Sequence, residues 1–448
     1  MSADFENAYT EEISEPCPEG RGVNMEDFVA YMPAHFYIFT PCREPWVGAS
    51  VNSRLPRVPV LDQHRRPKYD KHGKPITISP TSWLDRNRPV EQMTWAPGLP
   101  MRIKDRLVAD GGWIERKDVN CLNLYRPPRI EPGEAAKAGP WLDHIHKIFD
   151  SDDAAHCIHW LAHRVQLPQD KINHALVLGG AQGIGKDTML EPLKHAVGPW
   201  NFHEVSPGQL LGRFNSFAKS VILRVNEARD LGEVDRFSLY DHTKIYTAAP
   251  PDVLRVDEKH LREHYVINCL GFIITTNHKT DGIYLPADDR RHYVAWSHCK
   301  KEEFTPEYWN RLWGWYQGGG FQHVAAYLAE FDLSDFDAKA PPPKTAAFWD
   351  IVAANSAPED AELADVLDAL GGPDAVKASG EAAEWLMDRK NRRAIPHRME
   401  RCNYTPVRNP GADDGLWKLA GKRQTVYARV RLSLSEQMAA ARKLATER

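Results

Sequence analysis

The stretch Ala175-Leu-Val-Leu-Gly-Gly-Ala-Gln-Gly-Ile-Gly-Lys-Asp-Thr188 constrains the fold more than any other part of the chain. An apolar run meets a glycine-rich turn, and the turn opens into a helical pattern, MLEPLKHAV. Gly180, Gly183, Ile184, Gly185 and Lys186 fit the spacing GxxxxGK, but Asp187 stands where Ser or Thr is usual, with Thr188 directly after it. A strand–turn–helix of this kind aims backbone N–H groups at phosphate oxygens, and the positive end of the helix dipole stands behind them. The lysine reaches the β- and γ-phosphates of a nucleotide, and the hydroxyl residue normally holds Mg²⁺. These residues are the candidates for binding ATP with Mg²⁺; the plainer alternative is a glycine-rich connection carrying a surface lysine.

Two more buried-strand candidates follow, SVILRV at 220–225 and GFIITT at 271–276. Strands that alternate with helical segments predict a three-layer α/β domain. Each of these strands ends in polar residues, and in a parallel sheet such ends face the ligand crevice. After the first comes Asn226-Glu227, where a pair of carboxylates would be expected for metal and water activation. One carboxylate is missing there and one has appeared at position 187. Asp187 is therefore expected to supply, directly or through water, the Mg²⁺ coordination that Asn226 cannot give as an anion, with Glu227 polarising the attacking water. After the second strand comes Asn277, placed to orient that water or, more simply, to cap the next element. Asp288-Asp289-Arg290-Arg291 is then either a surface ion-pair cluster or a source of a guanidinium for a neighbouring subunit's γ-phosphate.

The order and spacing of LVLGGAQGIGKDT, VILRVNEA, TKIYTAAPPDVLRVDEKH, IITTNH and ADDRRHYV resemble the superfamily 3 helicases, ring-forming ATPases of the AAA+ type, and among them the helicase modules of phage primase-helicases and virulence-associated E-like proteins. With the helical lead-in, the likeness spans about 141–330. It implies a P-loop NTPase, AAA+-like core in which Lys186 contacts phosphate, Glu227 is the catalytic acid, Asn277 is the sensor and Arg290 or Arg291 is the finger lent to the next subunit. It also implies a pore hairpin around Val256–His260, with Lys259 and His260 touching single-stranded DNA. A homohexameric ring, translocation on one strand, phage- or plasmid-type replication and a bacterial host cytoplasm come from the resemblance as well. No paired-carboxylate primase signature is seen in the first 140 residues, so any primase would be a separate protein.

The flanks follow from charge and punctuation. The chain reads as an acidic tail at 1–24, a basic mixed α/β region at 25–130 with β-like runs FYIF and WVGASV, a helical lead-in at 141–170, the ATPase domain at 171–330 and a basic unit at 355–448. No internal repeat stands out. The 448 residues carry a net charge of −4, but the charge is segregated: 54–129 holds 16 Lys/Arg against 8 Asp/Glu, 330–388 holds 3 against 14, and 389–448 holds 15 against 5. Basic segments of this kind fit a polyanion partner, or else a solvated surface that balances the acidic stretch. In the last unit, helical segments followed by VYARV suggest a winged-helix-like DNA-binding domain, with Arg392, Arg393, Arg398 and Arg401 on phosphates, or a packing domain with an Arg-rich face. His156, His159 and His163 share a helical face without a fourth metal ligand. The 14 Trp are read as core and interface rather than as a base-stacking platform, although Trp46, Trp83 and Trp95 lie in basic loops. Seven scattered Cys without a CxxC pair read as a reduced, cytosolic chain; no apolar run of membrane length or secretory h-region is present, so no membrane partner is expected. Two rivals stay open: a nucleotide-switched DNA-binding protein that does not unwind, and a P-loop kinase.

Overall fold

The computed structural model describes residues 22–226, 236–259, 263–279, 283–354, 367–368, 371–377, 399–400, 402–419 and 421–446. The chain divides into two compact units, Met1–Phe348 and Trp349–Arg448. Among the described residues no helix is long and apolar enough to cross a membrane.

The first unit opens with a sheet of β1 (Phe28–Tyr31), β2 (Phe36–Phe39) and β3 (Glu44–Trp46), extended on its other side by β6 (Pro89–Val90), in the order β3-β2-β1-β6. Alternation along β1 explains its packing. Phe28 and Ala30 join Tyr37, Val51, Leu55 and Leu84 on one face, whereas Val29 and Tyr31 join Ile38, Val90, Met93 and Leu122 on the other. The run WVGASV, expected as strand, instead leaves β3 at Trp46 and becomes helix α1 (Gly48–Arg54). The reason is a period of four: Val51 and Leu55 both enter the Phe28 cluster while Ser53 between them is exposed, whereas a two-residue alternation would bury all three. Trp46 packs against Phe28 and Phe39, Trp83 against the Phe28 cluster and Trp95 against Tyr125, as core aromatics. Between α1 and helix α2 (Pro80–Asn87) the chain forms a small ribbon in which β4 (Val58–Pro59) pairs with β5 (Thr77–Ile78). Next, β7 (Gln92–Thr94), β8 (Arg102–Ala109) and β9 (Gly112–Asn123) form a second sheet in the order β7-β9-β8.

Helices α3 (Gly139–Ile148) and α4 (Ser151–Gln166) lead into a five-stranded, all-parallel sheet. Its strands are β10 (Ala175–Gly179), β11 (Phe202–Val205), β12 (Ile222–Val225), β15 (Gly271–Thr276) and β16 (His292–Trp296), in the order β11-β12-β15-β10-β16. Every residue of β10, β12 and β15 is buried, so both faces of the sheet are covered. Consecutive residues of β15 show by what. A side chain added at Gly271 would run into Trp160 and Arg164 of α4, whereas Phe272 stacks on Tyr246 of helix α7 (Arg236–Thr247) with ring centroids 6.4 Å apart. The mixed α/β class with a parallel, three-layer core is therefore as expected. Between α7 and β15 lies an antiparallel hairpin of β13 (Val253–Val256) and β14 (His264–Ile267), and Thr94 at the end of β7 donates to the carbonyl of Tyr265 at 2.9 Å. Helices α8 (Pro306–Trp315), α9 (Phe321–Glu330) and α10 (Ala346–Ala354) follow the sheet.

In the second unit, β17 (Ala375–Lys377), β18 (Tyr404–Val407) and β21 (Val426–Arg429) form an antiparallel sheet in the order β17-β21-β18. A hairpin of β19 (Trp417–Leu419) and β20 (Lys422–Gln424) and a terminal helix α11 (Leu434–Thr446) accompany it. Val426 and Ala428 pack with Val407, Trp417 and Ala441, and Tyr427 packs on the other face with Leu367, Met399 and Tyr404. Arg392, Arg393, Arg398 and Arg401 lie outside the described residues.

The histidines of α4 serve packing. His156 stacks on Tyr293 with centroids 3.7 Å apart, and Phe336 lies against His156, His159, His163 and His174. No cluster of three or more metal-binding side chains exists among the described residues. Burial, reinforced by Arg164 at one ring and by His156 at the other, holds His163 and His174 down to a pKa of about 3. Below the ordinary value near 6.5 the unfolded chain therefore binds protons that the folded chain refuses, and stability falls with acidification. At one pKa unit per 1.36 kcal/mol, each ring costs about 2 kcal/mol at pH 5. The thermal midpoint should thus drop between pH 6.5 and 4.5, and the slope should be shallower in His174→Leu; an unchanged slope in a calorimetric pH series would contradict this.

Candidate active site

Parallel pairing places the ends of β10, β12 and β15 side by side, and the cleft there, about 780 Å³, is lined by residues remote in sequence. Its floor is the turn after β10. Gly180, Gly183 and Gly185 take φ of 136°, 81° and 93°, in the left-handed half of backbone space. At Gly185 there is also no room: a Cβ would lie 2.5 Å from the His144 ring and 2.6 Å from Trp309. Ile184 is fully buried beneath the turn. The first helical turn of α5 (Lys186–Val197) is gripped from outside, because Trp141 donates to the Met189 carbonyl at 2.9 Å, Tyr316 to that of Thr188 at 3.1 Å, and His144 to that of Gly185 at 3.0 Å. Burial keeps the His144 ring neutral, so with Nε2–H given to Gly185, its Nδ1 accepts the Tyr308 hydroxyl at 2.7 Å.

The Lys186 ammonium is buried and donates to the carbonyls of Gly180 at 2.7 Å and Ala181 at 2.9 Å and to the Asn277 side-chain oxygen at 2.9 Å. Loss of water lowers its pKa to about 8, against the pull of Asp187. Asn277 therefore reaches back to the lysine turn. Asn226 sits at the end of β12, its Oδ1 3.5 Å from the Thr275 hydroxyl, and lines the same cleft as Asp187 and Thr188. Glu227 lies outside the described residues.

The sequence reading missed Arg224. It interrupts the buried run of β12, with a side chain only 7% exposed, and its guanidinium ion-pairs with Asp187 and with Glu204 at 2.8 Å while its Nε lies 3.4 Å from the Thr275 hydroxyl. The extra anion at position 187 thus has a buried cation as its partner. A charge inside an otherwise apolar strand was the available signal. Lys301, Trp309 and Trp313, which wall the cleft, come from beyond β16 and gave none.

The arginine turn is organised from inside. Asp289 is buried, and its carboxylate accepts the N–H groups of Arg291 at 2.9 Å and His292 at 3.0 Å, the His292 ring at 3.1 Å and the Tyr240 hydroxyl of α7 at 2.8 Å. Burial would raise its pKa, but the His292 ring and these donors outweigh that and bring it to about 2. Asp289 is consequently no surface ion-pair partner. Arg290 beside it is exposed, and Arg291 is half-buried. Lys259 is exposed in the β13–β14 connection, whose neighbours are tied down by Lys219 to Glu258 at 2.7 Å and Arg213 to Asp257 at 3.0 Å; His260 lies outside the described residues.

Asparagine at position 289 would offer one acceptor oxygen where the carboxylate offers two and would turn an N–H toward a donor. Asp289→Asn should therefore lower stability by about 1–3 kcal/mol in urea unfolding, and a change below about 0.3 kcal/mol would show that the turn does not depend on these bonds.

Comparison with known proteins agrees with the architecture. A family of unknown function, DUF5906, matches residues 178–291, the stretch from β10 to the arginines. No curated protein matches the sequence. The apo structure of the NrS-1 C-terminal region superposes with a TM-score of 0.60 at 15% identity, covering 90% of this chain and 95% of that one. An A-form structure of that region gives 0.51 at 17% identity over 76% and 85%. A JCV helicase structure reaches only 0.32 at 12% identity over 53% of this chain and 66% of that one. What the first two establish is a shared fold.

Proposed function

We propose that this chain is an ATP-driven helicase motor of the superfamily 3 type, a P-loop NTPase of AAA+-like build that assembles as a ring, hexameric by the resemblance, on single-stranded DNA in phage- or plasmid-type replication. The observation that carries the reading is the convergence of Lys186, Asn277, Asn226 and Arg224 on one cleft at the carboxyl edge of an all-parallel sheet. Open α/β sheets bind ligands at that edge, and a cleft of this size suits a nucleotide.

In this reading Lys186 and the backbone of the Gly180–Gly185 turn hold the phosphates. Asp187, Thr188 and Asn226 bring hard oxygen donors to one wall of the cleft, which fits Mg²⁺, an ion that keeps most of its ligands as water and phosphate. When bound, the ion neutralises phosphate charge. Glu227 orients and deprotonates water, and Asn277, which accepts from Lys186, exchanges that contact for the terminal phosphate. Arg290, already exposed, is the better candidate than Arg291 for reaching a neighbouring subunit's nucleotide. Lys259 and His260 meet the strand in the ring, and Arg392, Arg393, Arg398 and Arg401 bind phosphates from a winged-helix-like unit. A separate primase and a bacterial host cytoplasm belong to the same proposal.

The test is ATP hydrolysis with and without single-stranded oligonucleotide, alongside light scattering in ATP. Hydrolysis should be DNA-stimulated, should fall at least about 100-fold in Lys186→Ala and Glu227→Gln, and should accompany assembly. A monomer that leaves ATP intact beside DNA would sink the proposal, and a monomer that phosphorylates a small acceptor would favour the kinase. The Arg224 pair gives a second check. Arg224→Gln leaves Asp187 as an uncompensated anion, so nucleotide binding in EDTA should weaken by about tenfold while binding in Mg²⁺ changes little; equal losses in both would mean the pair is only a brace.

A further inference from the structure

Residues 61–76 form a short tandem duplication. Leu61-Asp-Gln-His-Arg-Arg-Pro-Lys68 is followed at once by Tyr69-Asp-Lys-His-Gly-Lys-Pro-Ile76. In sequence LDQHRRPK and YDKHGKPI share only Asp, His and Pro, so no repeat stands out there; the geometry corrects that reading. The hydrogen-bond pattern repeats. Asp62 accepts the N–H groups of His64 at 2.8 Å and Arg66 at 2.9 Å, and Asp70 accepts those of His72 at 2.8 Å and Lys74 at 2.9 Å. Arg65 and Gly73, the equivalent fourth residues after Leu61 and Tyr69, both take positive φ, 61° and 76°. Val60, Lys68 and Ile76, each separated by one repeat, pass backbone hydrogen bonds around a closed triangle, each 2.8 Å long.

Two consequences follow from this construction. Both acids of the duplication are spent on holding their own turns, and among the described residues no ion pair engages Arg65, Arg66, Lys68, Lys71 or Lys74, all of which are exposed. The arm therefore presents a nearly unopposed positive surface from a rigid base. Arginine also stands at position 65, in a left-handed conformation that the sister turn gives to glycine and that disfavours an L-residue. Beside these cations, the equivalent residues Leu61 and Tyr69 are 49% and 59% exposed. Apolar and aromatic side chains set among fixed cations match unstacked bases on a phosphate backbone rather than a closed duplex, whose bases are stacked away.

We propose that this duplicated β-arm, residues 58–78, is a binding site for single-stranded nucleic acid, with Arg65, Arg66, Lys68, Lys71 and Lys74 on phosphates and Tyr69 stacking on a base. The assignment does not require the nucleotide cleft to be active, so it stands or falls apart from the motor reading.

The test uses the full-length chain without nucleotide and fluorescence anisotropy of a labelled oligothymidine and of a duplex, each across a salt series. Replacing Arg65, Arg66, Lys71 and Lys74 together by Gln should reduce the slope of log affinity against log salt on the single strand by about two to three, at about 0.7 per phosphate contact. Tyr69→Ala should weaken the single strand by about tenfold with the slope unchanged, and Tyr69→Trp should restore it. A fourfold-Gln chain with the wild-type slope overturns the site. A loss confined to the duplex, with Tyr69→Ala silent, overturns the single-strand assignment. If the fourfold variant does not fold, as judged by circular dichroism, the single substitutions Lys71→Gln and Lys74→Gln carry the same measurement, each expected to remove about 0.7 from the slope.

Discussion

Parallel pairing of β10 with β15 on one side and β16 on the other is the constraint on which the rest of the first unit depends. Parallel neighbours need crossovers, and crossovers cover both faces of the sheet, so β10, β12 and β15 are buried along their whole length. Polar chemistry is then driven to the strand ends. The turn after β10, Asn226 after β12 and Asn277 after β15 meet because all the strands point the same way. An antiparallel neighbour would have sent one of these ends to the opposite edge.

Cations inside this unit are held in two ways. Arg164 and Lys171, both buried, donate to carbonyls: Arg164 to Cys269 at 2.7 Å and Leu167 at 3.0 Å, and Lys171 to Leu270 at 2.6 Å and to Tyr246. They fasten α4 and the segment after it to the start of β15. Lys186 uses carbonyls too, but adds the Asn277 amide, a neutral partner that it can exchange for an anion at little electrostatic loss. Arg224 differs, since it holds two carboxylates, one of which, on Asp187, is 72% exposed at the cleft. A buried guanidinium left with no partner would be costly, and Glu204 provides one that does not depend on the cleft.

Much of the core could be read from residue pattern because it rests on local chemistry. A run of apolar residues closed by glycines and followed by a helical period admits few structures, and β10, the turn and α5 follow it. The strands at 222–225 and 271–276 were legible for the same reason. The exceptions are instructive. WVGASV is apolar enough for a strand, yet the pocket formed by Phe28, Tyr37 and Leu84 takes Val51 and Leu55 and leaves Ser53 outside, which only the helical period allows. Asp288 and Asp289 look alike in sequence, but only Asp289 has Tyr240, from a helix far back in the chain, to accept from. The duplication at 61–76 shares only three residue types between its copies, and its equivalence lies in which N–H groups the two Asp side chains accept.

Sequence alone determined where a glycine-rich turn would join strand to helix, that strands and helices would alternate around it, and which polar residues would end the strands. These follow from steric freedom at glycine, apolar period and helix dipole, all of which act within a few residues. Tertiary structure decided which of those residues meet: that Asp187 answers Arg224, that Asn277 closes on Lys186, and that His144 and Trp309 leave no room for a side chain at Gly185. Such pairings join residues tens to more than a hundred positions apart, and charge or volume complementarity at that separation exists only once the sheet has set its register.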